Sequence, residues 1–305
     1  MAEPTRRPTE GTPCWADVMV ADLAAAKRFY GELFGWTFDE PVPRLRGSYT
    51  PARLDGRRAA GLMQKADGRM PTVWTVYLAT PDAAGTAERV RAVGGQVIDE
   101  PRPVGDGPAG VMAVAADPAG AVFGLWQPGE HLGFEARAEH GAYVWTDIVT
   151  RTPARTDAFY PEVFGYRPLV GSAAAEPAPE PPGGKRAAGE GAGGEGAEGR
   201  DAAGDGPEQR PEPPDTVVWA PRGLPADEEH AVVARSLMAG NVPVELPAHL
   251  LVYFAVDDCD AAAETVRRIG GRVTYGPETG RYGRWAQCAD NQGAAFAVLD
   301  PAEAG

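Results

Sequence analysis

The feature that most constrains how this chain can fold is an internal duplication. The segment YLATPDAAGTAERVRAVGGQVIDEP, residues 77–101, aligns without a gap with YFAVDDCDAAAETVRRIGGRVTYGP, residues 253–277. A second matching pair precedes these segments in each half. WADVMVADLAAAKRFYGELFGW starts at Trp15, and WTDIVTRTPARTDAFYPEVFGY starts at Trp145.

A third pair of matching segments closes each half. It reads DPAGAVFGLWQP from Asp117 and DNQGAAFAVLDP from Asp290. Asp at the first position, Pro at the second and Gly at the fourth suit a type I turn, so the strands on either side of DPAG are predicted to form a hairpin. Three matching pairs in the same order indicate that the chain contains two copies of one module.

The residue pattern within each copy predicts both strands and helices. Residues 15–20 have the period of a strand, and Asp22 stands where a helix N-cap belongs. The helix after Asp22 is predicted to end before Gly35. One face of that helix carries Leu23, Ala26, Phe29, Tyr30 and Leu33. Further along each copy, short strands, a second helix closed by two glycines and the final hairpin are predicted.

The duplication also predicts the domain boundaries. We expect a flexible N-terminus at residues 1–11, a first module at 12–129, a linker at 130–140 and a second module at 141–301. The second module contains an insert at residues 171–215 that has no aromatic residue and no Val, Ile, Leu or Met. Such a segment buries too little apolar surface to offset its ordering entropy, so we predict a disordered loop. It is either a tolerated surface expansion or a segment with a regulatory or partner-binding role.

Composition excludes several classes of function. The formal net charge of −14 opposes binding to the phosphate backbone of nucleic acids. No apolar run approaches the length of a membrane span, and the N-terminus lacks the apolar segment of a secretory signal. The three cysteines, Cys14, Cys259 and Cys288, are far apart and odd in number, which favours free thiols in a reducing cytosol. We therefore expect a cytoplasmic protein that binds neither nucleic acid nor membranes.

The motifs of the first half resemble those of the glyoxalase/bleomycin-resistance/dioxygenase family, the vicinal oxygen chelate superfamily. They are W-x-D…D-L-x-x-A-K-x-F-Y-x-x-L-F-G-W from Trp15, W-x-V-Y-L-A-x-x-D from Trp74, a Gly-Gly pair, and D-P-x-G-A-x-F-x-L-W from Asp117. More narrowly, the chain resembles the two-module bacterial glyoxalase-like proteins. The resemblance implies an α+β fold of tandem βαβββ modules, in which two curved mixed sheets surround a cavity. It says little about the reaction, because this fold carries many chemistries.

The resemblance also implies where metal ligands would lie in family members that use a divalent metal. Carried onto this chain, the first-strand, middle-strand and last-strand positions are Trp15, Thr75 and Gly124 in the first half. In the second half they are Trp145, Leu251 and Ala297. None is a His, Glu, Gln or Asp, and a divalent metal needs several such donors. We therefore predict no metal and no cofactor.

Strand alternation predicts which side chains would face the cavity. Candidate ligand-binding residues are aromatic: Trp15, Tyr77, Trp126, Trp145 and Tyr253. This face suits a flat organic molecule held by a few polar groups. The alternative for Trp15 and Trp145 is packing in the hydrophobic core.

Three polar residues on the same face are candidates for catalysis: Asp17, Asp147 and His249. A carboxylate on an apolar strand face is costly without a partner, so the two aspartates either anchor a ligand, act as acid or base, or pair with an Arg or backbone group at the module interface. His249 is either a polar pocket residue or a structural histidine. His131 and His140 in the linker, and His230 in a loop, are expected in solvent.

Two functions remain open from the sequence. The first is metal-independent binding of a small, aromatic organic molecule in the cavity between the modules, as in sequestration by bleomycin-resistance relatives or the handling of a secondary metabolite. The alternative is an enzyme of glyoxalase-like type, a lyase, isomerase, cyclase or hydroxylase-like catalyst, that uses Asp or His in acid–base chemistry. The expected partner is a small organic ligand. Two modules in one chain allow a monomer, and a homodimer is an alternative.

Overall fold

The computed structural model describes residues 7–44, 47–105, 107–169, 215–238 and 246–304. The predicted insert at 171–215 lies outside the described residues apart from Asp215, and residues 1–6 of the predicted flexible N-terminus also lie outside them. No helix among the described residues is both long and apolar enough to cross a membrane.

The described residues of the first half form nine strands and two helices. In chain order they are β1 (Pro13–Val20), α1 (Leu23–Phe34), β2 (Thr37–Phe38), β3 (Val42–Arg44), β4 (Gly47–Leu54), β5 (Arg57–Gln64), β6 (Val73–Ala79), α2 (Ala83–Ala92), β7 (Gln96–Pro103), β8 (Gly110–Ala116) and β9 (Val122–Pro128).

The second half follows the same order over its described residues. Its elements are β10 (Tyr143–Thr150), α3 (Pro153–Phe164), β11 (Arg167–Pro168), β12 (Thr216–Ala220), a 3₁₀ helix (Glu228–His230), β13 (Val233–Leu237), β14 (His249–Ala255), α4 (Cys259–Arg268), β15 (Arg272–Gly280), β16 (Gly283–Ala289), β17 (Ala295–Asp300) and a 3₁₀ helix (Pro301–Glu303).

Each half forms one mixed sheet. The strand order is β2-β4-β5-β1-β6-β9-β8-β7 in the first, with β3 paired to β4, and β11-β12-β13-β10-β14-β17-β16-β15 in the second. In the first sheet β1 is parallel to β5 and antiparallel to β6. Each half therefore holds two βαβββ units in succession, the second starting at β6 or β14. The predicted α+β fold with two mixed sheets is confirmed.

The local predictions for the first helix are also confirmed. Asp22 Oδ1 accepts a hydrogen bond from Ala25 N at 2.9 Å, which satisfies one of the free amides at the start of α1. Gly35 ends the helix with φ of 71°, a left-handed conformation that costs glycine little. The predicted turn at Asp117 closes with a Gly120 N to Asp117 O hydrogen bond of 3.0 Å.

The hydrophobic core lies between the two halves, because the first helix of each half packs on the other half. On α1, Phe34 contacts Phe254 of the second half with ring centroids 4.9 Å apart. On α3, Tyr160 contacts Phe123 of the first half at 5.8 Å. One continuous cluster of buried side chains joins both sheets. The two halves are therefore parts of one packed structure.

Hydrogen bonds also join α1 to the second half. The Tyr30 hydroxyl on α1 donates to Asp290 Oδ2 in the second half at 2.9 Å and accepts from Trp74 Nε1 at 3.1 Å. The Gln292 amide oxygen accepts from the backbone amides of Ala21 and Asp22 at 2.9 and 2.8 Å. These contacts place the turn between β16 and β17, at residues 290–293, beside the start of α1.

The segments expected to be flexible or exposed make contacts with the first sheet. At the N-terminus, Gly11 N donates to Ala79 O at 2.8 Å and Glu10 pairs with Arg89. In the linker, Phe134 N donates to Cys14 O at 2.8 Å. Residues 10 and 11 and the middle of the linker therefore belong to the packed structure.

We predict that Tyr30→Phe lowers the free energy of unfolding by roughly 1–3 kcal/mol, because it leaves Asp290 Oδ2 and Trp74 Nε1 buried without their partner. Urea unfolding followed by circular dichroism measures this. Tyr282→Phe is the control. Tyr282 is 54% exposed, so the loss of its hydroxyl at the surface should cost clearly less. Equal losses for the two variants would contradict the prediction.

Candidate functional site

On each sheet the face opposite the helices carries the residues that the sequence identified. We call this face of the first sheet the first cup and define it by Trp15, Asp17, Tyr49, Tyr77 and Trp126. Strand pairing places Trp15 opposite Tyr77, and Asp17 opposite both Thr75 and Gly61. Because paired residues share a face of the sheet, these side chains lie together.

The first cup is filled by its own side chains. Trp15, Tyr77 and Trp126 are each only 5% exposed. The Tyr77 ring lies directly over Gly124, where an added Cβ would come within 2.0 Å of the ring. The Tyr49 hydroxyl lies over Gly61, where an added Cβ would come within 2.0 Å of the hydroxyl oxygen. The same hydroxyl accepts a hydrogen bond from Trp15 Nε1 at 2.7 Å. Little room remains for a ligand beside these rings.

Asp17 lies at the centre of the first cup and is 6% exposed. Burial raises its pKa from 3.8 to about 7, and a hydrogen bond with Tyr77 offsets part of that rise. Since burial disfavours the charged form, this carboxyl exchanges its proton near neutral pH. Partly exposed Met19, Met63 and Thr75 separate it from solvent at the end of the cup away from Trp15.

The linker closes the other end of the first cup. The His131 ring packs edge-on against Trp15 with centroids 4.6 Å apart and against Trp126 at 5.3 Å. Burial and the charge of Arg58 lower its pKa to about 4. The expectation that His131 lies in solvent is wrong, because the linker folds back onto the sheet. His140 is exposed as expected, and His230 is partly exposed beside Asp227.

The same face of the second sheet forms the second cup, defined by Trp145, Asp147, Ser236, Tyr253, Tyr275 and Trp285. Asp147 is its polar centre. Its Oδ2 accepts from the Tyr253 hydroxyl at 2.9 Å and from the Ser236 hydroxyl at 3.3 Å, and its Oδ1 accepts from Trp145 Nε1 at 2.9 Å. Burial raises the pKa of Asp147, and these hydrogen bonds oppose the rise.

Trp145 and Asp147 of the second cup are more exposed than Trp15 and Asp17 of the first, and smaller residues occupy two of the matched positions beside them. Tyr49 and Met63 pair on the first sheet, and Thr216 and Ser236 pair at the same place on the second. Without a tyrosine there, the indole N–H of Trp145 turns to Asp147. Trp145 and Asp147 are partly exposed, unlike their buried counterparts in the first half.

A row of three aromatic rings forms one wall of the second cup. Tyr253 and Trp285 have ring centroids 6.2 Å apart, and Trp285 stacks on Tyr275 at 5.1 Å. Trp285 and Tyr275 are partly exposed. Neither residue was predicted from the sequence, although the alternation of side chains along β15 and β16 would have placed both on the face of the cup.

His249 begins β14 at the end of the second cup away from Trp145. Its Nδ1 lies 3.0 Å from Pro247 O, and its buried Nε2 has no hydrogen-bond partner among the described residues. Burial lowers its pKa, and the nearby charge of Arg151 lowers it further. The ring is therefore a neutral imidazole, and if Nδ1 carries the proton, Nε2 is an acceptor.

The loop at residues 221–232 closes the Trp145 end of the second cup. Ala226 and Ala231 in this loop, like Trp145, pack against a buried cluster formed by Leu169, Val218, Ala220 and Ala234. Glu228 in the same loop pairs with Arg281 in the turn between β15 and β16. These two segments belong to opposite edges of the sheet, so the sheet curves around the cup. The first half has only the tight turn at Asp55 and Gly56 in the matching place.

The structure brings the predicted residues together in two groups, where the sequence analysis expected one cavity between the modules. Asp17, Trp15, Tyr77 and Trp126 lie on the first sheet, and Asp147, Trp145, Tyr253 and His249 lie on the second. The space between the halves is filled by the hydrophobic core. A separate surface depression of about 160 Å³ next to His140 and Asp257 has no Trp, Tyr or Phe in its lining and contains none of the predicted site residues.

The divalent metal that the family resemblance implies does not fit the residues present. Among the described residues no group of three His, Cys, Asp or Glu side chains is close enough to hold an ion. The last-strand position is Gly124 in the first half, and the ring of Tyr77 fills the space that a carboxylate there would need. In the second half that position is Ala297, opposite Tyr253. The absence of a metal from the protein in solution stays a prediction.

Comparison with known proteins agrees with this architecture. The model of the glyoxalase-like domain matches residues 15–126, and that of the glyoxalase/bleomycin resistance protein/dioxygenase superfamily matches residues 142–298. The chain is 34% identical over 299 residues to "Putative glyoxylase CFP32" of Mycobacterium tuberculosis, covering 96% of each protein. It is 31% identical over 314 residues to "Anthracycline biosynthesis protein DnrV" of Streptomyces peucetius, covering 97% of each.

Solved structures of low sequence identity share the fold. The Mn(II)-bound glyoxalase from Novosphingobium aromaticivorans has a TM-score of 0.55 at 15% identity, covering 97% of this chain and 86% of that one. The 2,3-dioxygenase LapB from Pseudomonas sp. KL28 has a TM-score of 0.59 at 12% identity, covering 97% and 93%. With relatives aligned over nearly its whole length, the chain belongs to the glyoxalase/bleomycin resistance protein/dioxygenase superfamily.

Proposed function

We propose that this protein binds a small planar aromatic molecule in the second cup, without a metal ion. The observation that carries the proposal is a row of three aromatic rings, buried Tyr253 followed by partly exposed Trp285 and Tyr275, beside the partly exposed carboxyl group of Asp147. Aromatic faces bind flat apolar rings through dispersion and area burial, and a few fixed polar groups orient the molecule.

The polar groups of the second cup are already held in place. Three donors from Trp145, Ser236 and Tyr253 hold Asp147. At the other end of the cup, Nδ1 of His249 lies 3.0 Å from Pro247 O, which holds the imidazole ring in place.

The related proteins support the same class of ligand. One relative aligned over its length is named for the biosynthesis of anthracyclines, and one protein of similar fold is named as a 2,3-dioxygenase. Sequestration of such a molecule, or its handling in secondary metabolism, is the role we propose for this chain.

We expect a planar neutral probe, 9-anthracenemethanol, to bind with one site per chain in calorimetric titration. Trp285→Met introduces the residue type that the first half has at the matched position, Met112. Because it removes the central ring of the aromatic row, it should weaken binding roughly five- to thirtyfold, equivalent to about 1–2 kcal/mol. Met112→Leu is the matched control and should leave binding unchanged. Absence of binding, or equal binding by all three proteins, would count against the second cup.

A second candidate function is acid–base catalysis, which the raised pKa of Asp17 favours. A carboxyl group with a pKa of about 7 can accept and donate a proton near neutral pH. Asp147, with Tyr253 as hydrogen-bond donor, offers similar chemistry in the second cup. Incubation of candidate molecules with wild type, Asp17→Asn and Asp147→Asn, followed by mass spectrometry, tests for turnover that depends on either carboxyl.

The raised pKa also predicts how stability depends on pH. Asp17 has a higher pKa in the folded state, about 7, than the 3.8 expected for the unfolded chain. The folded state therefore holds the proton more tightly, and this contribution to stability is fully present below about pH 4 and is lost as pH rises through about 7. Its upper limit is about 4 kcal/mol.

Asp17→Asn removes this titration, so its free energy of unfolding relative to wild type should increase from pH 4 to pH 8. Urea unfolding at several pH values measures the difference between the two proteins, which cancels the titration of other groups. A difference that stays constant with pH would show that Asp17 keeps an ordinary pKa, and the acid–base candidate would lose its support.

A further inference from the structure

The two cups differ in charge at two matched positions on the edge strands β7 and β15. In the repeat alignment Asp99 and Arg102 of β7 correspond to Tyr275 and Glu278 of β15. In the first half, Arg102 Nη2 lies 3.2 Å from Asp99 Oδ2, so the charges cancel. In the second half the Tyr275 hydroxyl donates to Glu278 Oε2, so the carboxylate keeps its negative charge.

The second cup therefore has a carboxyl group at each end of its aromatic row. Tyr253 donates to Asp147 at one end, and Tyr275 donates to Glu278 at the other. Between them lies the partly exposed ring of Trp285, stacked on Tyr275 and near Tyr253. Indole and phenol faces attract cations, and a nearby carboxylate adds to that attraction.

The positive side chains around this row have other partners. In the turn that follows β15, Arg281 pairs with Glu228. Arg284 points to the helix side of the sheet, where it pairs with Asp260. Arg151 lies at the far end of the cup, where it donates to Leu246 O at 2.6 Å. Among the described residues, none of these cations pairs with Glu278 or Asp147.

We propose that the second cup selects planar aromatic molecules that carry a positive charge, such as a protonated amine, and that Glu278 is the residue that sets this preference. This inference rests on the proposed function, since it names the class of ligand for the same cup. The first cup lacks both requirements, because Met112 stands in place of Trp285 and the Arg102–Asp99 pair in place of Glu278 and Tyr275.

Three probes with one ring system test the inference. They are 9-(aminomethyl)anthracene, a cation at pH 7, neutral 9-anthracenemethanol and the anion anthracene-9-carboxylate. We expect affinity to fall in that order, and the advantage of the cation over the neutral probe to shrink as salt is raised. Glu278→Gln keeps an acceptor for the Tyr275 hydroxyl and removes the charge. It should reduce the preference for the cation roughly fivefold while the affinity of the neutral probe stays unchanged.

Asp99→Asn in the first half is the matched control and should leave all three affinities unchanged. Glu278→Arg, which introduces the residue type found at position 102, should reverse the order so that the carboxylate binds better than the amine. Binding of all three probes with equal affinity, or an unchanged preference in Glu278→Gln, would overturn the inference and leave the proposed function standing. Failure of every probe to bind would overturn both.

Discussion

The packing of the first helix of each half between the two sheets is the contact on which the rest of this structure depends. Helix α1 packs on β5 of its own sheet and, through Phe34, on Phe254 of the second half. Helix α3 packs on β13 of its own sheet and, through Tyr160, on Phe123 of the first half, so the two halves share one core. The hydrogen bond from Tyr30 to Asp290 and the aromatic contact between Phe34 and Phe254 fix that arrangement. Because the helices bury one face of each sheet, any binding surface on a sheet must use the opposite face. The position of the two cups follows from this constraint.

The two cups show that matched positions of a duplicated fold can differ in how tightly they are packed. Both keep a tryptophan, an aspartate and a tyrosine at matched positions, yet only the first is filled. Tyr49 and Tyr77 occupy its space and depend on Gly61 and Gly124 for room. In the second half Thr216 and Ser236 leave Trp145 and Asp147 partly exposed. The burial that raises the pKa of Asp17 to about 7 thus belongs to a packed interior, whereas the second cup resembles a recognition surface.

The residues at the metal-ligand positions implied by the family resemblance are not metal donors in this chain. Where the family resemblance implies metal ligands, the strands carry Trp15 and Gly124 in the first half and Trp145 and Ala297 in the second. The ring of Tyr77 occupies the space above Gly124, and Ala297 pairs with Tyr253 on the neighbouring strand. An aromatic floor with one central carboxyl group suits recognition of an organic molecule by ring stacking, hydrogen bonding and charge.

The sequence by itself determined the duplication, the order of strands and helices, the N-cap at Asp22 and the face on which the candidate residues lie. These features depend on residue periods and turn chemistry, which act over a few neighbouring positions. Strand alternation was therefore enough to place Asp17 with Tyr77 and Asp147 with Tyr253.

Only the tertiary structure decided which surfaces are buried. Two sheets could have enclosed one cavity between them, but the crossing of α1 and α3 fills that space with side chains from both halves. The linker packs over Trp15, so the ring of His131 lies against that indole. The exposure of Trp145 and Asp147 depends on the small side chains of Thr216 and Ser236 on neighbouring strands. Contacts of this kind join residues that are far apart in the chain, so the local sequence pattern could not reveal them. They become visible only when the folding of the chain sets the register of the strands and brings those residues together.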